Sequence, residues 1–176
     1  VSIETEVAGV ATYCLRPVER VTGGCHFVPG QFNMLYLPGV GEAAISMSGD
    51  PVQTDCWVHT VRVVGNVTTA LAKLKVGDQL GMRGPFGTGW PLDALRGNDV
   101  VLTTAGLGLA PLRPLIYHLL QHRLDYGHLW LLNGARTAEG LLYTREYESW
   151  TAQGLQIELT VDRATEDWNG SVGVVP

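Results

Sequence analysis

The chain has 176 residues, of which 45% are hydrophobic and 16% charged, and its formal net charge is −5. That is more than one small domain and less than two full ones, with ample apolar material for a core. The acidic balance and the lack of a Lys/Arg cluster exclude nucleic acid and an acidic membrane surface as main partners, because both require concentrated positive charge. No apolar run approaches the ~20 residues of a membrane-spanning helix. The opening VSIETEVAGV lacks the basic start of a signal peptide, so a cytoplasmic protein without membrane insertion is expected. Cys14, Cys25 and Cys56 lie far apart and form no CxxC pair; they read as three unpaired thiols, without a metal site.

Up to about residue 90 the chain reads as short strands between turns. Ala11–Glu19, Gln31–Leu37, Ala44–Ser48 and Cys56–Val64 are strand candidates, separated by the turn sequences VPGQF, LPGVG and SGDP. A helix is expected over 68–74, with Thr68 as N-cap and Leu71 and Leu74 on one face. KVGDQLGMRGPFGTGW then reads as a turn at Gly77-Asp78, a short strand and a glycine-rich linker. Short pieces of this kind suit a small antiparallel barrel, expected to span 1–92.

After residue 97 the pattern changes. DVVLTTA is a short buried strand, and APLRPLIYHLLQHR places Leu112, Leu115, Ile116, Leu119 and Leu120 at helical spacing. Pro111 and Pro114 fit the first turn of that helix, where a missing N–H removes little. HLWLLN is a second strand. TAEGLLYTREYESW reads as one helix capped by Thr137, with Tyr143, Tyr147 and Trp150 on one packed side and Gly154 as its stop. LQIELTV is a third strand. Strand–helix–strand–helix–strand implies parallel pairing, so 97–176 is expected to be an α/β domain, incomplete at its C-terminal end.

The stretch carrying the most chemistry is TTAGLGLAP, where a strand turns into a helix. Backbone N–H groups at such a point face the carboxyl edge of the sheet, where phosphates bind. Gly106 and Gly108 would let a pyrophosphate approach. A GxGxxG pattern is absent, since Pro111 stands three positions after Gly108, and on residue types alone the loop reads equally as a tight turn. GNVTTAL offers a similar choice between a phosphate-facing helix start and an ordinary capped helix.

Order favours the phosphate-facing reading. PGQF, AISMS, HTVRVVGNVTTAL, GDQLGMRGPFGTGW, TTAGLGLAPLRPLI, LNGARTAEGLLY and TVDR follow one another in a sequence that resembles the ferredoxin–NADP reductase superfamily. The resemblance is strongest to the gamma, or diaphorase, subunits of cytoplasmic NiFe hydrogenases of the sulfhydrogenase type, with the electron-transfer subunits of dihydroorotate dehydrogenase as near relatives. It implies an FAD-binding barrel followed by a pyridine-nucleotide domain, with electrons passing between NAD(P)H, FAD and the iron–sulfur centres of a hydrogenase-type complex. The alternatives are a dihydroorotate dehydrogenase partner, or a flavin-free nucleotide-binding or scaffolding subunit.

The resemblance also assigns residues. Ile45, Ser46 and Met47 fall on the family's FAD-facing Arg-x-Tyr-Ser stretch, with Ala43 in the arginine position. Arg62 then either replaces that charge at the FAD diphosphate or is a solvated strand residue. Gly65, Val67 and Thr68 fall on the second FAD stretch. Gly106, Gly108, Ala110 and Pro111 match the nucleotide loop, in which Ala105 replaces a glycine. Arg136 or Arg145 is placed to meet a 2′-phosphate, which would favour NADP(H), and Asp162 ends the third strand at the crevice. No acid, base or nucleophile of the chain is required. A 2Fe-2S centre is expected only with a C-terminal extension carrying the family's cysteine cluster.

Overall fold

The computed structural model describes residues 2–19 and 22–175. The first half forms β1 (Ile3–Val7), β2 (Val10–Leu15), β3 (Phe32–Leu37), β4 (Gly41–Ser46), β5 (Trp57–Arg62) and β6 (Gly81–Phe86). They make two three-stranded antiparallel sheets, ordered β1-β2-β5 and β4-β3-β6. Tyr13 and Val61 of one sheet meet Leu35 and Leu37 of the other in a common core. This is the alternation that sends every second side chain inward. An isolated bridge between Met47 and His59 ties the end of β4 to β5 and so joins the two sheets. Helix α1 (Asn66–Leu71) plugs one side through Leu71.

A short helix, α2 (Leu92–Leu95), leads into the second half. There β7 (Val100–Ala105), α3 (Leu109–Gln121), β8 (Leu129–Ala135), α4 (Tyr147–Ala152), β9 (Leu155–Val161) and β10 (Ser171–Val172) follow in order. The sheet is parallel, ordered β10-β9-β8-β7. Its register aligns the strand ends, with Ala105 opposite Gly134 and Ala135 opposite Val161. The apolar face of α3 packs on β7 and β8 through Leu112, Leu115, Ile116, Leu119, Leu102 and Leu131, and Val10 of the barrel joins this same cluster.

Several expectations are corrected. Cys14 and Cys56 form a disulfide, with Cα atoms 5.8 Å apart, and only Cys25 is a free, buried thiol. Forty-two residues separate the pair in sequence, but the register Leu15↔Trp57 and Cys14↔Val58 brings them together across neighbouring strands. Thr68 is not the N-cap of α1. That position is Gly65, and the Thr68 hydroxyl accepts the Val64 and Gly65 N–H groups, each at 3.0 Å, from the third helical position. Helix α3 starts one residue earlier than expected, so Pro114 lies inside it rather than in its first turn. There its missing N–H removes a helical hydrogen bond, and tertiary burial of the apolar face holds the helix instead.

Nor is 137–150 one helix. It breaks into 3-10 turns at Ala138–Gly140 and Thr144–Glu146 before α4. Leu141, Leu142 and Tyr143 are consecutive and all buried, which no single helix face achieves, and Tyr143 takes a left-handed conformation with φ 57°. The parallel sheet gains a fourth strand, β10, where three were expected.

His59 and Asn33 are buried polar residues inside the barrel. The Ser46 carbonyl can only accept, so the His59 Nδ1–H donates to it at 3.0 Å. The Nε2 atom is then left to accept from the Asn33 amide at 3.2 Å. Burial is the main force on this imidazole and lowers its pKa to about 4, against the opposing pull of its bonds to the Ser46 and Ile45 backbone.

Two outcomes follow for stability. The unfolded chain takes up a His59 proton near pH 6.5 and the folded chain only near 4. The contribution of neutral His59 is therefore complete above about pH 6.5 and is lost as pH falls towards 4, up to about 3 kcal/mol in all. Urea denaturation between pH 7.5 and 4.5 should show that loss, and His59→Gln should lack it. Separately, replacing Cys14 and Cys56 by serine should lower unfolding free energy by about 4 kcal/mol, the chain entropy of releasing a loop this long. Dithiothreitol should lower the wild-type midpoint in the same sense.

Candidate functional site

The carboxyl ends of the parallel strands face the barrel, and two adjoining cavities lie along that seam. The first, about 450 Å³, is walled by Ala44, Ile45 and Ser46 of β4, Thr60 to Arg62 of β5, and Thr68 of α1. Its other side is Leu107, Gly108, Ala110 and Pro111, the turn from β7 into α3. The second, about 590 Å³, is lined by Val10, Arg62, Ala105, Gly106, Gly134, Arg136 and Asp162, among others. Arg62 belongs to both. Its guanidinium stands over the glycine loop, since a Cβ on Gly106 would come within 3.2 Å of Nη2.

The two loop glycines serve different ends. Gly106 has φ +53° and opens on the second cavity, so it meets both the conformational and the spatial demand for glycine. Gly108 faces the first cavity, and a Cβ there would lie 2.6 Å from the Thr104 hydroxyl. It permits close packing of the turn on its own strand. Ala105 has extended backbone, φ −139°, which any residue adopts, so a methyl in this position is accommodated. Gly134 completes the wall at the end of β8, where a Cβ would lie 2.6 Å from a Val175 methyl.

The sequence-assigned residues therefore separate into groups. Ile45, Ser46, Arg62, Thr68, Gly108, Ala110 and Pro111 surround the first cavity, and Arg62, Gly106, Arg136 and Asp162 the second. Met47, Gly65 and Val67 line neither. Met47 is fully buried in a cluster with Cys25, Phe27 and Trp57, Val67 packs into the barrel core, and Gly65 is the exposed N-cap of α1. Arg145 is held by Glu4 at 2.5 Å and Glu6 at 3.0 Å, whereas no carboxylate among the described residues pairs with Arg136 or Arg62. Thr60 and Gly134 were not singled out from the sequence. Thr60 is reached only through the structure, where His59, Thr60 and Val61 are buried in succession against the alternation of the strand.

Chemically, the first cavity is largely apolar, with Ile45, Val61, Leu107 and Pro111 in its wall, as suits a flat ring system. The second offers two cations and close backbone approach at the end of parallel strands, which suits phosphate groups.

The oxidoreductase NAD-binding domain family matches residues 102–176. The gamma subunit of sulfhydrogenase 1 of Pyrococcus furiosus is 38% identical over 151 residues, which cover 84% of this chain and 51% of that protein. The probable dihydroorotate dehydrogenase B (NAD(+)) electron transfer subunit of the same organism is 34% identical over 155 residues, covering 88% and 53%. The chain thus spans about half the length of these relatives. Among solved structures, the FAD/NAD-binding domain of a nitric oxide dioxygenase from Vibrio cholerae superposes with a TM-score of 0.82 at 20% identity, over 99% of this chain and 77% of that one. Its likeness establishes the shared fold. Sequence order, paired antiparallel sheets, a parallel sheet and these relatives agree: the chain has a ferredoxin reductase-like fold and is similar to the sulfhydrogenase gamma subunits and the dihydroorotate dehydrogenase electron-transfer subunits.

Proposed function

We propose that this chain is a flavoprotein electron-transfer subunit, an FAD-dependent NAD(P)H oxidoreductase working inside a larger complex in the cytoplasm. In this reading residues 1–92 hold FAD and 97–176 hold the pyridine nucleotide. The observation that carries it is the junction of the two cavities at Arg62, a cation that borders both and that no carboxylate among the described residues pairs with. When bound, FAD supplies the ability to accept a hydride and release single electrons. The chain's own residues bind and orient. Ile45, Ser46 and Thr68 wall the ring site, Gly106 and Gly108 bring backbone close to the nucleotide, and Arg62 offsets phosphate charge. Arg136 is the candidate for a 2′-phosphate, because Arg145 is already held by two glutamates.

Electrons would pass to iron–sulfur centres in partner subunits of a hydrogenase-type complex, or return from them. The likeness to the dihydroorotate dehydrogenase electron transfer subunit makes that enzyme the second candidate partner.

Visible absorption tests the reading directly. The purified chain supplied with FAD should show a flavin band that bleaches on adding NADH or NADPH, and the faster nucleotide identifies the preferred one. A chain that takes up no FAD would leave only the scaffolding role. Arg62→Ala should weaken FAD retention by about tenfold, the worth of one charge-assisted contact, and an unchanged affinity would remove Arg62 from the diphosphate site.

A further inference from the structure

Tyr143 is the only non-glycine residue with positive φ among the described residues, and it is 98% buried, at 2% exposure. A bulky residue in that conformation costs ~1 kcal/mol or more and persists only where its surroundings enforce it. Here they do. The Arg113 guanidinium stacks over the phenol ring at 4.2 Å and also donates to the Ser48 carbonyl at 3.0 Å and to Glu146 at 2.5 Å. The Tyr143 hydroxyl leaves its own half of the molecule and donates to the Thr60 hydroxyl at 2.7 Å. Burial pushes the phenol pKa up, so it remains a donor.

Hydroxyl accounting shows what this bond does. Thr12 spends its proton on Glu6 at 2.6 Å, so across the 2.8 Å contact Thr60 must donate to Thr12. The Thr60 proton is then used, and Ser48 must donate to Thr60, also at 2.8 Å. The Thr60 oxygen therefore accepts twice and donates once. It is saturated, and Thr60 lines the first cavity without a free hydroxyl to turn towards it.

We propose that Tyr143, clamped by Arg113, is a positioning residue for electron transfer between the two cavities. It fixes the nucleotide half against the flavin wall through the Thr60 oxygen. The inference rests on reading the first cavity as the flavin site. With both cofactors bound, the nicotinamide would give up a hydride with both bonding electrons and the flavin would take it up, and no group of this chain would gain or lose a proton. Its rate is set by the relative placement of the two rings, which is what a clasp between the halves controls.

Tyr143→Phe removes one hydroxyl and leaves the ring under Arg113. In the FAD-loaded protein the expected result is flavin bleaching slowed about tenfold at saturating nucleotide, with FAD content and the half-saturating nucleotide concentration unchanged within about twofold. Amide hydrogen exchange, read on the same sample, should quicken at Ser48 and Thr60 and stay unchanged at Leu115 and Ile116 in α3. Bleaching at the wild-type rate per bound flavin would overturn the proposal, whatever happened to stability. If Tyr143→Phe fails to fold, Arg113→Lys, which keeps the charge and loses the planar stack, should give the same pair of changes. A wild-type chain that binds no flavin at all would instead defeat the functional reading beneath it.

Discussion

Arg113 is the charge around which the two halves are joined. Its side chain is only 12% exposed, and that of its partner Glu146 17%, so both ions have been taken largely out of water. Burial works to lower the Arg113 pKa, but the surrounding Tyr117 and Glu146 groups outweigh it and the net shift is upward. Such a pair repays its desolvation only when further hydrogen bonds fill the remaining sites. The Ser48 carbonyl, the Tyr117 hydroxyl on Glu146, and the rings of Tyr117 and Tyr143 supply them. Because Ser48 follows β4 while Arg113 and Glu146 lie beyond β7, satisfying this one ion pair fixes the barrel against the sheet.

That constraint places the cavities. With α3 held by Arg113, the turn that precedes it must lie against β4 and β5, and Gly108, Ala110 and Pro111 become the far wall of a space whose near wall is Ile45 and Ser46. The same docking brings Arg62, the last residue of β5, over Gly106. Arg62 stays solvent-exposed even with the two halves docked. Set against the carboxyl edge of a parallel sheet, it becomes the shared boundary of two binding spaces.

The parts legible in the sequence were those governed by local periodicity. The apolar positions of α3 and the strands at 155–161 and 100–105 carry their pattern within a few residues, and β3 alternates in strand register. What was not legible depended on partners distant in sequence. Cys14 and Cys56 are adjacent only because β2 pairs with β5. The expected helix after Thr137 fails because three consecutive side chains, Leu141 to Tyr143, are claimed by the core at once, which overrides helical propensity. Among the cavity walls, motif order had singled out the glycine loop and the β4 stretch. It did not separate Ser46, which faces a cavity, from Met47, which faces the core, because that distinction is made by the bridge between Met47 and His59.

Charge pairing completes the picture of the second cavity. In an acidic chain of net charge −5, carboxylates are plentiful, and Arg83, Arg96, Arg113 and Arg145 each have one. Among the described residues Arg62 and Arg136 have none, and neither do Arg16, Arg123 and Arg163; what sets Arg62 and Arg136 apart is that both stand in one cavity, which also contains Asp162. Leaving two cations unpaired on one concave surface forgoes the modest gain of an ion pair. It is the arrangement expected where the missing negative charge arrives with a ligand, since a prior carboxylate partner would have to be displaced at each binding event. The glycines at 106 and 134 keep the wall between these cations free of side chains. An anionic, phosphate-bearing ligand is what the proposed function assigns to this half of the seam, and to the apolar half beside it the ring that such a ligand must reach.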